Sequence, residues 1–431
     1  MHAVKLNYGR RTLDVPLPDG RWLGALQPRA APALAPLEDH LRNSLRNPMG
    51  SPPLRELAAG ARSAAILISG SDRLTGSDRF LPVLGDELNA AGLSDEQIVV
   101  WLATGTHQKQ TDADRRLLLG PAIDRFACRQ HDPRDPGNLV DLGATSFGTP
   151  IRLNRAVYES DVKILTGRIA HHYFAGFSGG RKAIAPGVSA FETITANHKL
   201  VMDRHGRGRH PAVFPGSLDG NPVHEDMLQI ARAAKPSFCL NTVLNPRHEI
   251  THVFSGDFEI AHRQGCAVVA SQDQVRLDER ANLVVASCGG WPYDISFMQV
   301  VKTIVAAERA VADGGVLVVL GACERGLEPG FLEWFDYTSL DELNRDVLAK
   351  YNLKGHNTYW IKSIQARMKI VLVSDLPEQD VGRMGFVAAR DEKAGLQAAC
   401  SLVGPDPSIL AIPYGNLTVC RGPDASQQGF T

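Results

Sequence analysis

The side chains of this protein that can do chemistry crowd into one stretch. Gly167-Arg168-Ile169-Ala170-His171-His172-Tyr173-Phe174-Ala175-Gly176-Phe177-Ser178-Gly179-Gly180-Arg181-Lys182, continued to Asn197-His198, sets three imidazoles, two arginines and a lysine among glycines. Between Lys163 and His210 stand eight Lys/Arg (Lys163, Arg168, Arg181, Lys182, Lys199, Arg204, Arg207 and Arg209) against Glu192 and Asp203, with five of the 14 histidines. A near-neutral protein that gathers positive charge in one glycine-rich place is expected to hold an anion there.

Other candidates surround this stretch. His107 closes Thr104-Gly105-Thr106-His107 after an apolar run, where a side chain exchanging protons near neutral pH has a use; a single histidine is otherwise more often structural. His171 and His172 are adjacent, so they point apart and at most one faces a ligand. Ser178-Gly179-Gly180-Arg181-Lys182 resembles a phosphate cradle, but fits neither Gly-x-x-x-x-Gly-Lys-[Ser/Thr] nor Gly-x-Gly-x-x-Gly. Amides freed by glycines can still wrap a phosphate, and Lys182 can serve as a point charge or as a nucleophilic amine; a plain surface turn is the alternative. His198 alone reads as a solvated helix residue, whereas beside His107 and His172 it becomes a metal ligand. Arg73, in Ser69-Gly70-Ser71-Asp72-Arg73, suits a carboxylate held in fork geometry, or pairs with Asp72 or Asp78. Gln299 and Lys302 are three apart and share one helix face after the turn Trp291-Pro292-Tyr293-Asp294.

These residues need elements to position them. Residues 64–69, 97–103 and 161–166 read as short buried strands, with helical spacing over 78–91 and 111–119. A helix opens at Asn221-Pro222 and runs to 234. A second series places strands at 282–287, 315–320, 369–374 and 408–412 and helices at 295–312, 340–351, 359–368 and 392–403. The pattern predicts two α/β domains with mainly parallel sheets: 1–275, carrying the histidines and Lys182, and 276–431, completing the substrate pocket. Ligands in such sheets sit beyond the carboxyl ends of strands, so the active site is expected in the cleft between the domains.

Composition narrows the function classes. A net charge of −1 gives no reason to expect nucleic acid or a membrane surface as partner. The seven cysteines form no Cys-x-x-Cys pair and the first residues carry no apolar run of signal-peptide length, which together predict a cytoplasmic protein without a disulfide framework.

The motifs, in this order and over nearly the whole chain, resemble the nickel-dependent lactate racemase family, the nickel-pincer-nucleotide 2-hydroxyacid racemases and epimerases. The resemblance is carried by Asn47-Pro48-Met49-Gly50-Ser51-Pro52-Pro53-Leu54-Arg55-Glu56-Leu57, by Thr104-Gly105-Thr106-His107, and by the run from His172 to Lys182. It continues through Asn197-His198, Gly220-Asn221-Pro222-Val223-His224, and Trp291-Pro292-Tyr293-Asp294 with Gln299 and Lys302. It implies a pyridinium-3,5-bisthiocarboxylic acid mononucleotide bearing nickel, covalently attached to Lys182, made by separate cofactor-biosynthesis enzymes. It implies His198 as the nickel ligand, His107 and His172 as the acid/base pair, and Arg73 as the carboxylate arginine. Gln299 and Lys302 complete the pocket, and Ser178, Gly179 and Gly180 lie near the cofactor phosphate. The implied reaction inverts C2 of a 2-hydroxy acid: one histidine takes the hydroxyl proton as hydride moves to the cofactor, and a 2-keto acid then receives the hydride on its other face.

Departures border the substrate. Where the family commonly has an aspartate three residues before the arginine, this chain has Gly70, with Asp72 just before Arg73. Thr-Arg-Pro becomes Asp72-Arg73-Leu74, and Trp360 has no secure counterpart. Retained cofactor positions beside altered substrate positions predict a small 2-hydroxy acid other than lactate. A sugar-acid 2-epimerase is the alternative within the family. Outside it stand a histidine-ligated zinc hydrolase using His107, His172 and His198, and a non-catalytic binding protein.

Overall fold

The computed structural model describes residues 2–29, 31–203, 205 and 208–422; Arg204 and Arg207, counted above among the basic residues, lie outside them. The chain divides into two compact units, one of Ala30–Val201 with Ala212–Ala270, the other of Met1–Arg29 with Met202–Pro211 and Ser271–Thr431.

The unit holding residues 30–201 is built on a six-stranded sheet. Its strands run in the order Ile250–Gly256, Phe238–Leu244, Val162–Arg168, Ala64–Ile68, Ile98–Leu102, Ala127–Gln130, and every pairing is parallel except the first. Ala64–Ile68 is buried at every position, the unbroken apolar run of a strand covered on both faces. Helix Ser77–Ala90 packs Phe80, Leu81, Leu84 and Leu88 into the same core. The sheet order then decides where the chemistry goes. Val162–Arg168, Ala64–Ile68 and Ile98–Leu102 are parallel neighbours in register, with Leu67 opposite both Leu165 and Trp101. Their carboxyl-end loops are the segments carrying His172 and Lys182, Arg73, and His107. Three stretches far apart in sequence thus leave the same edge side by side.

The second unit has its own six-stranded parallel sheet, ordered Val387–Ala389, Lys369–Val373, Val311–Leu320, Ala281–Ser287, Ser408–Ile412, Arg21–Ala25. The last strand departs from the expected domain limits of 1–275 and 276–431. Arg21–Ala25 pairs in parallel with Ser408–Ile412, so the first 29 residues group with the carboxyl-terminal half. A five-residue edge strand with no fully buried position leaves little apolar signal to announce that pairing. The helix expected over 295–312 stops at Ala307, and after a short turn the strand Val311–Leu320 begins. Among the described residues no helix is long and apolar enough to cross a membrane.

Candidate active site

The glycine-rich loop is a clasp. After Val162–Arg168 the chain makes a two-residue antiparallel ladder, His171 opposite Phe177 and His172 opposite Gly176. Ser178 sews the loop shut: its amide donates to Ala170 O at 2.8 Å, while its hydroxyl accepts from Ala170 N at 3.0 Å and donates to Arg168 O at 2.7 Å. The Gly180 amide donates to Asn241 Oδ1 at 2.7 Å. Gly176 sits at φ +73°, and a Cβ there would lie 1.8 Å from Ser217 O, so only glycine fits.

This geometry engages two amides of the expected phosphate cradle within the protein. The Ser178 and Gly180 amides are already bound to protein acceptors, and Gly180 is buried against Cys239 and Asn241. The expected concentration of cations also disperses. Arg181 is fully buried and turned inward, donating to Ala175 O at 3.0 Å and Phe177 O at 2.9 Å and lying 2.7 Å from His262 Nε2. Burial pushes its pKa down to about 10, so it stays a cation at neutral pH and braces the loop from inside. Lys163 Nζ donates to Tyr158 O and Ser160 O. Arg209 belongs to the other unit, stacked 4.4 Å over Trp360 and 3.5 Å from Glu308.

Lys182 leaves this clasp on the turn Gly180–Ala183. Its Nζ lies 5.5 Å from the ring centre of Phe174. The same ring is met edge-on by His172 at 4.5 Å and by His198 at 5.0 Å. Phe174, buried at the tip of the loop, is therefore the hub that gathers three of the expected site residues. Sequence reasoning passed over it because an aromatic in a glycine-rich loop carries no chemistry of its own.

His198 is not the solvated helix residue that its local sequence suggests. It lies on helix Phe191–Lys199 and is 8% exposed. Its neighbour Asn197 pins that helix, donating to Val223 O at 3.1 Å and Asp226 Oδ2 at 2.8 Å. His198 Nδ1 lies 2.8 Å from Ile194 O; a carbonyl only accepts, so Nδ1 carries the proton and Nε2 keeps its lone pair. Burial, then the positive charge of Lys182, push the pKa of this ring down to about 3, and His107 and Arg73 add to the effect. His198 is thus neutral at neutral pH, the form that binds a metal.

His172 is held the other way round. Its Nδ1 accepts from the backbone N–H of Ala175 at 3.2 Å and of Phe174 at 3.4 Å, so the neutral ring carries its proton on Nε2. His171, on the opposite face of the ladder, packs at a tilt against Phe177 at 4.7 Å, as expected for adjacent strand residues. His107 stands at the exposed rim with Asp72 and Arg73. Arg73 Nη1 donates to Asp72 Oδ2 at 2.8 Å, Arg73 Nη2 lies 2.9 Å from His107 Nε2, and His107 Nδ1 lies 3.3 Å from Asp72 Oδ2.

In the other unit, Gln299 and Lys302 share one face of helix Phe297–Ala307, where Lys302 Nζ donates to Gln299 Oε1 at 2.6 Å. Trp360 is buried beneath Arg209 and tilts against His356 at 5.1 Å.

The donor set has a definite chemistry. Among the described residues no group of three or more His, Cys, Asp or Glu is placed to hold a metal ion, so the three-histidine zinc centre considered above is not assembled. One neutral imidazole beside one amine fits instead a metal that arrives with most of its donors on an organic group.

Comparisons with known proteins agree in extent with the motifs. A model of the lactate racemase N-terminal domain matches residues 8–209, and one of the lactate racemase C-terminal domain matches residues 277–420. The chain is 32% identical over 436 residues to a lactate racemase of Thermoanaerobacterium thermosaccharolyticum, covering 98% of this chain and 100% of that protein. It is 31% identical over 425 residues to a lactate racemase of Lactiplantibacillus plantarum, covering 96% and 99%. The structure of the lactate racemase apoprotein from T. thermosaccharolyticum superposes with a TM-score of 0.87 at 30% identity over 97% of this chain and 100% of that one. A Thermotoga maritima protein shares the fold, with a TM-score of 0.67 at 16% identity over 91% and 100%. By sequence over nearly its full length, this chain belongs to the lactate racemase family.

Proposed function

We propose that this protein is a 2-hydroxyacid racemase or epimerase that works with a nickel-pincer nucleotide tethered to Lys182. The observation that supports this most is the gathering of His172, Lys182 and His198 around the Phe174 ring, with His107 and Arg73 close enough to act electrostatically on His198. When bound, the nucleotide supplies a reversible hydride acceptor. Lys182 is its covalent anchor and His198 Nε2 the protein ligand to nickel. Ser178, Gly179 and Gly180 serve the cofactor by holding Lys182 in place.

The remaining residues handle the substrate. Arg73 binds the carboxylate, and because its guanidinium touches His107 Nε2, a hydroxyl on the carbon next to that carboxylate falls beside the same nitrogen. His107 takes the hydroxyl proton of one enantiomer, and His172 serves the other. For His172 this requires the ring to give up the amides of Phe174 and Ala175, since proton exchange at Nε2 keeps Nδ1 protonated throughout. Gln299 and Lys302 are assigned to substrate binding.

The substrate is a hydroxy acid other than lactate. Its carboxylate pocket has Gly70 and Asp72 where the family commonly has a different arrangement, and Trp360 is engaged with Arg209. Chiral analysis of cofactor-loaded protein over a panel of 2-hydroxy acids and sugar acids tests the reading. Inversion at C2 of at least one, faster than of lactate, is the expected result. No inversion of any member by protein whose intact mass shows the adduct overturns it.

A further inference from the structure

Asp72 carries no role in the reading above, yet it touches both substrate-side groups. Its Oδ2 accepts from Arg73 Nη1 at 2.8 Å and lies 3.3 Å from His107 Nδ1. It is the least exposed of the three, its side chain 13% accessible against 37% for Arg73 and 42% for His107. The two contacts on the imidazole have only one consistent assignment. A guanidinium has donors and no acceptor, so His107 Nε2, 2.9 Å from Arg73 Nη2, must present its lone pair. The ring proton of neutral His107 is then on Nδ1, facing a carboxylate that can only accept.

We propose that Asp72 is the positioning residue of this site: it fixes His107 in the Nδ1–H tautomer and holds Arg73 alongside, so that Nε2 becomes a base once a substrate carboxylate draws the Arg73 guanidinium off it. The carboxylate does this from an unusual place in the chain. A Cβ built on Gly70 would stand 3.2 Å from Asp72 Oδ1 and 3.2 Å from the Gln110 side-chain amide. Gln110 Oε1 in turn accepts from Ser71 N at 2.8 Å. The carboxylate of Asp72 thus reaches back into the space that a side chain at position 70 would enter. The place that this carboxylate occupies is therefore also within reach of an acid group attached at residue 70, two residues earlier in the loop. A side chain rooted at 72, adjacent to Arg73, leaves position 70 without bulk, and this distinguishes the pocket wall from one with an aspartate there.

The inference rests on the proposed roles of Arg73 and His107, but its test does not need turnover. Full-length protein labelled with ¹⁵N-histidine, without cofactor, reports each neutral ring's tautomer through its two nitrogen shifts and their couplings to ring protons; the signal missing in His107→Gln identifies His107. The expected result is an Nδ1-protonated His107 in the wild type. In Asp72→Ala and in the isosteric Asp72→Asn the population shifts toward the Nε2–H form, more completely in the alanine variant. The double substitution Gly70→Asp/Asp72→Thr restores the Nδ1–H form by supplying the carboxylate from its other attachment point. A wild-type His107 already in the Nε2–H form, or a tautomer unchanged in both Asp72 variants, overturns the proposal. In loaded enzyme, Asp72→Ala lowers kcat on the order of tenfold to a hundredfold, and the double variant recovers most of it. A failure of the racemase reading shows elsewhere, as absence of inversion by loaded wild-type protein, and leaves the tautomer result standing.

Discussion

His107 and His172 are given the same work by the proposed reaction, but the fold holds them by opposite means. His107 is at the rim, with charged partners on both ring nitrogens: Asp72 on Nδ1 and Arg73 on Nε2. His172 is packed against Tyr173 and Phe174, and its Nδ1 is occupied by two backbone amides. Side chains set the first ring and the backbone of its own loop sets the second. The first is therefore open to change by substitution at Asp72 and at Gly70, whose Cβ would stand 3.2 Å from the Asp72 carboxylate. The second can be changed only by remaking the loop that also presents Lys182. A site built this way can vary its substrate side while its cofactor side stays fixed.

The largest expected effect lies on the fixed side. Lys182→Ala should abolish the covalent adduct, and with it all inversion, in protein produced together with the cofactor-making enzymes; an adduct still present by intact mass would remove Lys182 from the tether. Next, His107→Ala and His172→Ala should each lose inversion by on the order of 10²- to 10⁴-fold while keeping the adduct mass. Near-normal turnover in either variant would break the symmetry of role on which the comparison depends. Phe174→Ala should cost about 3 kcal/mol or more, because it empties the buried ring against which His172, Lys182 and His198 are set. Chemical denaturation measures it, and a change below about 1 kcal/mol would mean that the ring is not the hub.

A smaller effect is the acid side of the stability curve. His198 is neutral in the fold with its pKa pushed down to about 3 from 6.5, and burial also lowers the pKa values of His131, His224 and His262. The unfolded chain takes up protons on these rings below about pH 6.5 while the folded one does not, so their contribution to stability is present above that pH. It is lost progressively as pH falls from 6.5 toward 3. The melting temperature should fall over that window, and less steeply in a variant carrying His198→Gln; an identical slope would show that His198 is not held neutral.

Much of this was legible in the sequence, for identifiable reasons. The strands Ala64–Ile68 and Ile98–Leu102 announce themselves because each is an uninterrupted apolar run ending at a turn, and Val162–Arg168 because its apolar centre, Ile164 and Leu165, runs straight into the glycine-rich stretch. The residues at those ends could be picked out because their types are costly to keep without use. What escaped depends on distance in three dimensions. Phe238–Leu244 and Ile250–Gly256 are interrupted by Asn241, Thr242, Thr251 and Ser255, which are buried nonetheless. The polarity of Asn241 answers a loop sixty residues away, where it receives the Gly180 amide. Arg181 looked like part of an anion site because charge is visible in sequence and direction is not; it faces inward, onto carbonyls. Phe174 looked like filler because a hub is defined by what meets it. The pairing of Arg21–Ala25 with Ser408–Ile412 joins segments nearly four hundred residues apart, and no local pattern reports that.

The central claim is that the hydrogen on C2 moves as a hydride within a closed exchange while the two histidines handle only the hydroxyl proton. It is tested most directly by giving loaded enzyme one enantiomer of an accepted hydroxy acid deuterated at C2, in ordinary water, and examining the opposite enantiomer as it forms. The account predicts that the product keeps its deuterium; washing out of the label into solvent at the rate of inversion would contradict it.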